Sequence, residues 1–145
     1  MPSQPGPKAT VLSQLVRVRL DDATALLKTG KPEQRNAAMY LSGYAAECAL
    51  KARLCRQFGE ARLPLAFRSH DLTRLAERAG AYKWASKHRE ELSFVCSEWR
   101  VEMRYDMRSF NVAQVERFLR NVKEFSKWLL SESSARSFQP SRMRR

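Results

Sequence analysis

The sequence predicts an all-α protein, an up-and-down bundle of four to five helices. Apolar residues recur with a period near 3.6 along most of the chain. Glycine and proline separate these periodic stretches, as they do at helix ends. The alternation of apolar and polar residues that is typical of strands does not occur, and there is no glycine-rich phosphate loop. At 145 residues, the chain has the length of one domain with its own core.

The first two helices are predicted from strong local signals. Residues 9–29 carry the periodic pattern up to Gly30, which ends the first helix. Pro32 fits the first turn of a second helix over residues 32–58, which Gly59 ends. Gly43 lies in the middle of this second helix, where glycine costs about 1 kcal/mol relative to alanine. We therefore expect a close neighbour at Gly43.

Three shorter helices are predicted in the second half of the chain. Ser69 or Asp71 can cap a short third helix that closes at Gly80. A fourth helix is predicted over residues 82–103, and Asn111 opens a fifth one with Gln114 at the capping-box position. The predicted core faces are Trp84, Leu92, Val95, Trp99 and Met103 on the fourth helix and Val112, Val115, Leu119, Val122, Phe125 and Leu129 on the fifth.

The ends of the chain and the cysteines indicate the domain boundaries and the cellular location. We expect residues 1–9 to be a disordered tail, residues 10–131 to be the helical bundle and residues 132–145 to be a basic disordered tail. Cys48, Cys55 and Cys96 show no metal-ligand spacing, and reduced thiols indicate a cytoplasmic protein. We predict no metal, cofactor, signal peptide or membrane span.

The charge balance favours anionic partners. Lysine and arginine number 27 and aspartate and glutamate 15, which gives a net charge of +12. Most of this excess lies within the predicted bundle. RNA, DNA, nucleotides and acidic protein surfaces are all compatible with it. The basic residues near the end of the second helix (Lys51, Arg53, Arg56) and along the fifth (Arg117, Arg120, Lys123, Lys127) fit either a solvated face or a phosphate-contacting one.

The second helix carries a charged pair within a small and apolar stretch, YLSGYAAECALKARL at residues 40–54. Glu47 and Lys51 are four residues apart, so they are neighbours on one face of the helix. One interpretation is a solvated pair at the edge of the core. The alternative is that Glu47 lies in a crevice and is held by an arginine from elsewhere in the chain.

Residues 98–106, EWRVEMRYD, could supply that arginine. Arg100 and Arg104 are four residues apart, and the forked guanidinium group suits a carboxylate. We predict that Arg104 contacts Glu47 across a helix interface, leaving Lys51 and Arg100 to face a groove.

These segments together resemble the HEPN superfamily, in its bacterial branch of short stand-alone proteins. The resemblance rests on YLSGYAAECALKA, on His70-Asp71-Leu72, and on Trp99 followed by Arg104 and Tyr105. It spans residues 10–130. It implies a bundle of four to five helices that forms a homodimer, encoded beside a nucleotidyltransferase in toxin–antitoxin or defence systems.

Active members of the superfamily that this sequence resembles are metal-independent endoribonucleases, and the sequence departs from their catalytic motif. Their motif is an arginine followed after four to six residues by a histidine. Here Tyr105, Asp106 and Met107 stand where the histidine after Arg100 is expected. Neither His70 nor His88 follows an arginine at that spacing, so the usual acid–base group is missing. For His70 a role at the start of the third helix is favoured over chemistry, and for His88 a place at the edge of the core.

Three functions remain open at this stage. The first is a HEPN-like domain that binds RNA or a nucleotide phosphate in a dimer groove. The second is a protein-interaction partner of a nucleotidyltransferase. The third is a non-standard endoribonuclease with Arg100, Arg104, Tyr105 and Asp106 as its catalytic candidates. The predicted phosphate-binding residues are Glu47, Lys51, His70, Arg100, Arg104 and Tyr105.

Overall fold

The structure is a computed structural model that describes residues 4–100 and 110–131, without the side chains of residues 82–87 and 89. Within these residues the chain forms five α-helices and no β-strand. They are α1 (Ala9–Lys28), α2 (Pro32–Gln57), α3 (Leu72–Arg78), α4 (Tyr82–Glu98) and α5 (Val112–Leu130), and a 3₁₀ turn (Leu65–Phe67) precedes α3. The all-α class and the helical bundle are confirmed.

Helix α2 is the centre of the bundle. It packs against α1, α3 and α5, while α4 packs on α3 and α5. Alanines on several sides of α2 allow its neighbours to approach closely, and five of them are almost wholly buried: Ala38, Ala45, Ala46, Ala49 and Ala52. Several polar side chains on the middle of α2 are therefore buried, among them Ser42, Glu47 and Lys51.

Local signals determine most of the helix ends. Gly30 and Gly59 both adopt positive φ, the conformation that suits the residue after a helix. The predicted capping box at the start of α5 is confirmed, since Asn111 and Gln114 exchange hydrogen bonds of 2.8 and 3.0 Å. Val112, predicted in the core, is instead 40% exposed. It lies in the first turn of α5, where the helix has not yet reached the core.

Helix α4 is shorter than predicted. It ends at Glu98, and Trp99 takes an extended conformation with φ −93° and ψ 136°. Met103, which was predicted to continue its apolar face, lies outside the described residues. A second irregularity occurs at His88, whose φ of −133° and ψ of 35° kink the helix. His88 is half-buried, in keeping with the predicted place at the edge of the core.

Residues 4–8 differ from the predicted disordered tail. They lie along the loop after α2, where Ala9 N–H donates to the Ala61 carbonyl and Leu63 N–H donates to the Pro7 carbonyl. The Arg62 and Arg68 side chains donate to the carbonyls of Gly6 and Gln4. The tail is held because Arg62, Leu63 and Arg68 of this distant loop donate hydrogen bonds to its carbonyls. A sequence pattern within the tail does not reveal these donors.

Candidate phosphate-binding site

Glu47 and Lys51 form a buried ion pair on α2. Lys51 Nζ lies 2.7 Å from Glu47 Oε2, and the two residues are 7% and 2% exposed. The prediction that Glu47 and Lys51 are neighbours on one face of the helix is confirmed. The interpretation as a solvated pair is wrong, because both side chains are buried.

His70 completes a three-residue cluster with this pair. Its Nδ1 lies 3.1 Å from both Oε1 and Oε2 of Glu47. Glutamate in an ion pair only accepts hydrogen bonds, so Nδ1 carries the proton and donates it. The His70 side chain is 61% exposed, whereas that of Glu47 is 3% exposed. The cluster therefore runs from the core of the protein to its surface.

The loop around His70 is fixed on both sides. Ser69 Oγ accepts a hydrogen bond of 3.0 Å from the Asp71 N–H. Asp71 caps α3 through its carboxylate, which accepts the Arg74 N–H at 3.2 Å. Asp71 is thus the cap, and His70 is left to turn towards α2. We expect this loop to hold the imidazole in one orientation.

Two further neighbours of Glu47 on α2, Tyr44 and Cys48, are neutral. Burial, together with the smaller effect of the Glu47 charge, raises the pKa of the Cys48 thiol to about 11. Burial likewise raises the pKa of Tyr44, whose hydroxyl is hydrogen-bonded to Cys48. Neither group ionises at neutral pH. The fixed charges of the cluster are consequently those of Glu47 and Lys51.

An aromatic wall borders the cluster on the N-terminal side. The rings of Tyr40 and Tyr44 are nearly parallel, with centroids 6.5 Å apart, and the Trp99 ring lies 5.9 Å from Tyr40. The Trp99 indole covers Gly43, where an added Cβ would overlap the ring, and it donates to the Tyr40 carbonyl at 3.0 Å. The close neighbour expected at Gly43 is therefore the indole at the end of α4.

The comparisons with known proteins agree with this architecture. The family model described as HEPN domain matches residues 17–133. The chain belongs to the HEPN domain family. No curated protein and no solved structure matches the chain. The fold of this HEPN protein thus agrees with the family assignment, and its site must be interpreted from its own residues.

The arginine segment of this HEPN protein is only partly described. Arg100 is exposed and directly follows Trp99 in the chain. The Trp99 ring lies on Gly43, and Gly43 is one helical turn before Glu47 on α2. Arg104, Tyr105 and Asp106 lie outside the described residues. The predicted contact of Glu47 with Arg104 is therefore untested, and the partners that the structure gives to Glu47 are Lys51 and His70.

The basic stripe at the end of α2 requires a correction. Arg53 was grouped with residues of a solvated or phosphate-contacting face, but it is 1% exposed. Its Nε donates to the Ala79 carbonyl at 3.0 Å, and its guanidinium carbon lies 4.7 Å from the centre of the Trp128 ring. The arginine reaches into the junction of α3 and α5. It holds the bundle together and does not face a ligand.

Metal and membrane sites can be considered for the described residues only. Within them, no group of three or more His, Cys, Asp or Glu side chains is placed to bind a metal ion. Among the same residues, no helix combines the length and apolarity that crossing a membrane requires.

The contact between His70 and Glu47 was not predicted. The two residues are 23 positions apart, and His70 lies in an irregular loop, so periodicity gives no information on its direction. Asp71 accounts for the helix cap, so the sequence leaves the direction of the adjacent His70 side chain open.

Proposed function

We propose that this HEPN protein binds RNA or a nucleotide through its phosphate groups, in a groove that begins at the Glu47–Lys51–His70 cluster. The observation that carries this proposal is the buried ion pair that reaches the surface at His70. Arg100 is exposed next to the aromatic wall of the cluster. On the sequence resemblance, Arg104 and Tyr105 complete the groove.

The charge of the chain supports phosphate as the ligand. A net charge of +12 attracts polyanions over distances of about a Debye length, which is roughly 10 Å at 0.1 M salt. Each lysine or arginine that contacts a phosphate releases counterions, which makes such binding strongly salt-dependent. Glu47 in the same place is not an obstacle, since Lys51 already neutralises it.

The family supports further parts of the proposal. We expect a homodimer, with the groove lying between the two copies, and a role beside a nucleotidyltransferase in a toxin–antitoxin or defence system. The three cysteines are free thiols, which supports a reducing, cytoplasmic location.

Fluorescence anisotropy of a labelled RNA, followed from about 50 to about 200 mM salt, tests the phosphate groove. For Arg100→Ala and Arg104→Ala we expect weaker binding and a salt slope reduced by about 1 for each phosphate contact removed. Arg120→Ala, on the exposed face of α5, is the matched control and should leave both quantities unchanged.

Two results would contradict the phosphate groove. Equal losses for Arg100→Ala and Arg120→Ala would indicate diffuse attraction to the whole surface. No binding at low salt would instead favour the interaction with a nucleotidyltransferase.

A further inference from the structure

The loop after α2 presents apolar side chains to solvent within a basic surrounding. We infer that this surface is a docking site for an acidic protein partner. Its members, which we call the loop patch, are the apolar Phe58 and Leu65 and the basic Lys8, Arg56, Arg62 and Arg68, all exposed. None of them belongs to the Glu47–Lys51–His70 cluster, so the inference does not depend on the proposed binding of phosphate.

The apolar part of the loop patch is built by the way the loop folds. Leu65 is 65% exposed, whereas Leu63 and Phe67 on either side of it are 3% and 9% exposed. The two buried side chains anchor the turn and leave Leu65 between them directed outwards. Phe58, at the end of α2, is 44% exposed, and its ring centroid lies 5.5 Å from that of Phe67. Phe67 thus connects the two exposed side chains into one surface.

The loop patch is held in place by the N-terminal segment. Hydrogen bonds join residues 4–9 to the loop through both backbone and arginine side chains. Gly6 is buried against the loop, where an added Cβ would overlap the Leu63 carbonyl. Pro64 further restricts the backbone before the 3₁₀ turn. A surface that is fixed before binding loses little conformational entropy on binding, which favours a specific partner.

The charges around the apolar side chains are mostly positive. The four basic residues of the loop patch lie near a single acidic residue of the same loop, Glu60. Arg62 and Arg68 each use one terminal nitrogen for a carbonyl of the N-terminal segment. A guanidinium group has five N–H donors, so the others can bind a carboxylate in the forked geometry that arginine favours. The loop patch is therefore complementary to an apolar pocket with carboxylates around it.

Three other occupants fit the loop patch less well. RNA is recognised through phosphates, polar base edges and stacked rings, in which the aliphatic Leu65 has no part. A second copy of the chain also carries a net charge of +12, and a symmetric contact would place arginine against arginine. A membrane surface is bound through a broad apolar face, and two exposed apolar side chains provide too little of one. A protein interface, in contrast, needs a few apolar anchors inside a polar rim, with phenylalanine and arginine enriched.

Photo-cross-linking from position 65 tests the loop patch. A benzophenone amino acid replaces Leu65 in the full chain, within cells that carry the gene naturally, and we expect it to capture one protein. The same amino acid in place of Val18, which is 44% exposed on α1, is the matched control and should not capture that protein. The captured protein is then purified, and calorimetry measures its affinity for the full chain. Leu65→Ser should weaken this affinity by about 10-fold or more.

Two further variants test the charge of the partner. Leu65→Lys and Leu65→Asp both remove the apolar side chain, and they differ only in the charge that they add. An acidic partner should bind the aspartate variant about 10-fold more weakly than the lysine variant, and high salt should reduce this difference. Because Leu65 is 65% exposed, neither change should shift the urea unfolding midpoint, so that lost binding reports on the surface and not on the fold.

Four results would overturn the inference. Cross-links only to a second copy of the chain would make the loop patch a self-association surface, and no cross-link beyond those from position 18 would leave it without a partner. Equal affinities of the lysine and aspartate variants would show that the partner is not acidic. Binding to vesicles of phosphatidylcholine and phosphatidylglycerol, or to a labelled RNA, that Leu65→Ser abolishes would assign the loop patch to a membrane or to RNA instead.

Discussion

Two buried charges on α2, six positions apart, have different kinds of partners. Arg53 is held by backbone carbonyls, at 3.0 Å from Ala79 and 3.5 Å from Leu129, and by the face of Trp128. Glu47 is held by the side chains of Lys51 and His70. The Arg53 junction is wholly internal, whereas the Glu47 cluster ends at an exposed imidazole.

The difference shows which buried charges can take part in chemistry. Carbonyl groups neither titrate nor move independently of their helices, so the Arg53 contacts fasten α2 to the last turns of α3 and α5. Burial, together with the smaller effect of the nearby Arg56 charge, lowers the pKa of Arg53 to about 10, yet the group stays charged at neutral pH. His70, the outer partner of Glu47, is in contrast a side chain that is 61% exposed and can contact molecules outside the bundle.

The largest expected effect comes from Glu47→Ala. The substitution leaves the Lys51 ammonium group buried without its carboxylate, which should lower the free energy of unfolding by about 3–5 kcal/mol. Urea denaturation measures this loss. The double variant Glu47→Ala with Lys51→Met is the control, and it should recover most of the stability because no unpaired charge remains. Equal stability of the single and double variants would contradict the buried pair.

Arg53→Ala should have the next largest effect. It removes hydrogen bonds from a charged donor to two buried carbonyls and opens space beside Trp128, for a loss of about 2–4 kcal/mol. Arg56→Ala is the matched control on the same turn. Arg56 is exposed and donates to the Leu130 carbonyl at 3.2 Å, so its loss should cost below about 1 kcal/mol. Similar losses for both arginines would show that burial is not the cause.

Gly43→Ala should have a smaller effect, at the border of the Glu47 cluster. The new methyl group would overlap the Trp99 indole, and forcing that ring aside should cost about 1–3 kcal/mol, offset in part by about 1 kcal/mol of helix propensity. Thermal unfolding measures the balance. In a Trp99→Leu background the same substitution should become neutral or stabilising. An unchanged cost in that background would show that the indole is not the obstacle.

The smallest effect concerns Cys48, next to Glu47, and appears only at high pH. Its folded-state pKa is about 11 against 9.0 for an ordinary thiol, so the folded chain keeps a proton that the unfolded chain loses. The contribution to stability is complete below about pH 9 and is lost as pH rises towards 11. Cys48→Ala should therefore show a flatter fall in stability over this range than the wild type. Parallel curves for the two proteins would contradict the shift.

The helix pattern was predictable wherever the signals were local. Gly30, Pro32 and the Asn111 capping box act within a few residues, and the predicted ends of α1 and α2 agree with the structure to within one residue. The end of α4 was not predictable. No glycine or proline lies in the ten residues after Glu98, and the helix stops where the Trp99 indole packs on Gly43 and donates to the Tyr40 carbonyl.

Only the part of the candidate site that lies on α2 was predictable from the sequence. The spacing of Glu47 and Lys51 identifies a pair on one helix face, and helical periodicity supports that inference. Their burial depends on α1, α3 and α5, and the approach of His70 depends on a loop without periodic structure. Burial also separates Arg53 from Arg56, although the sequence places both in one basic stripe.

The tryptophans give the two charged regions separate optical reporters. Trp99 lies against Gly43, which is one turn before Glu47 on α2, and Trp128 lies against Arg53. A Trp84→Phe background would leave only these two emitters among the three tryptophans of the chain. Quenching of Trp99 emission by a ligand, with Trp128 emission unchanged, would then locate binding by spectroscopy alone.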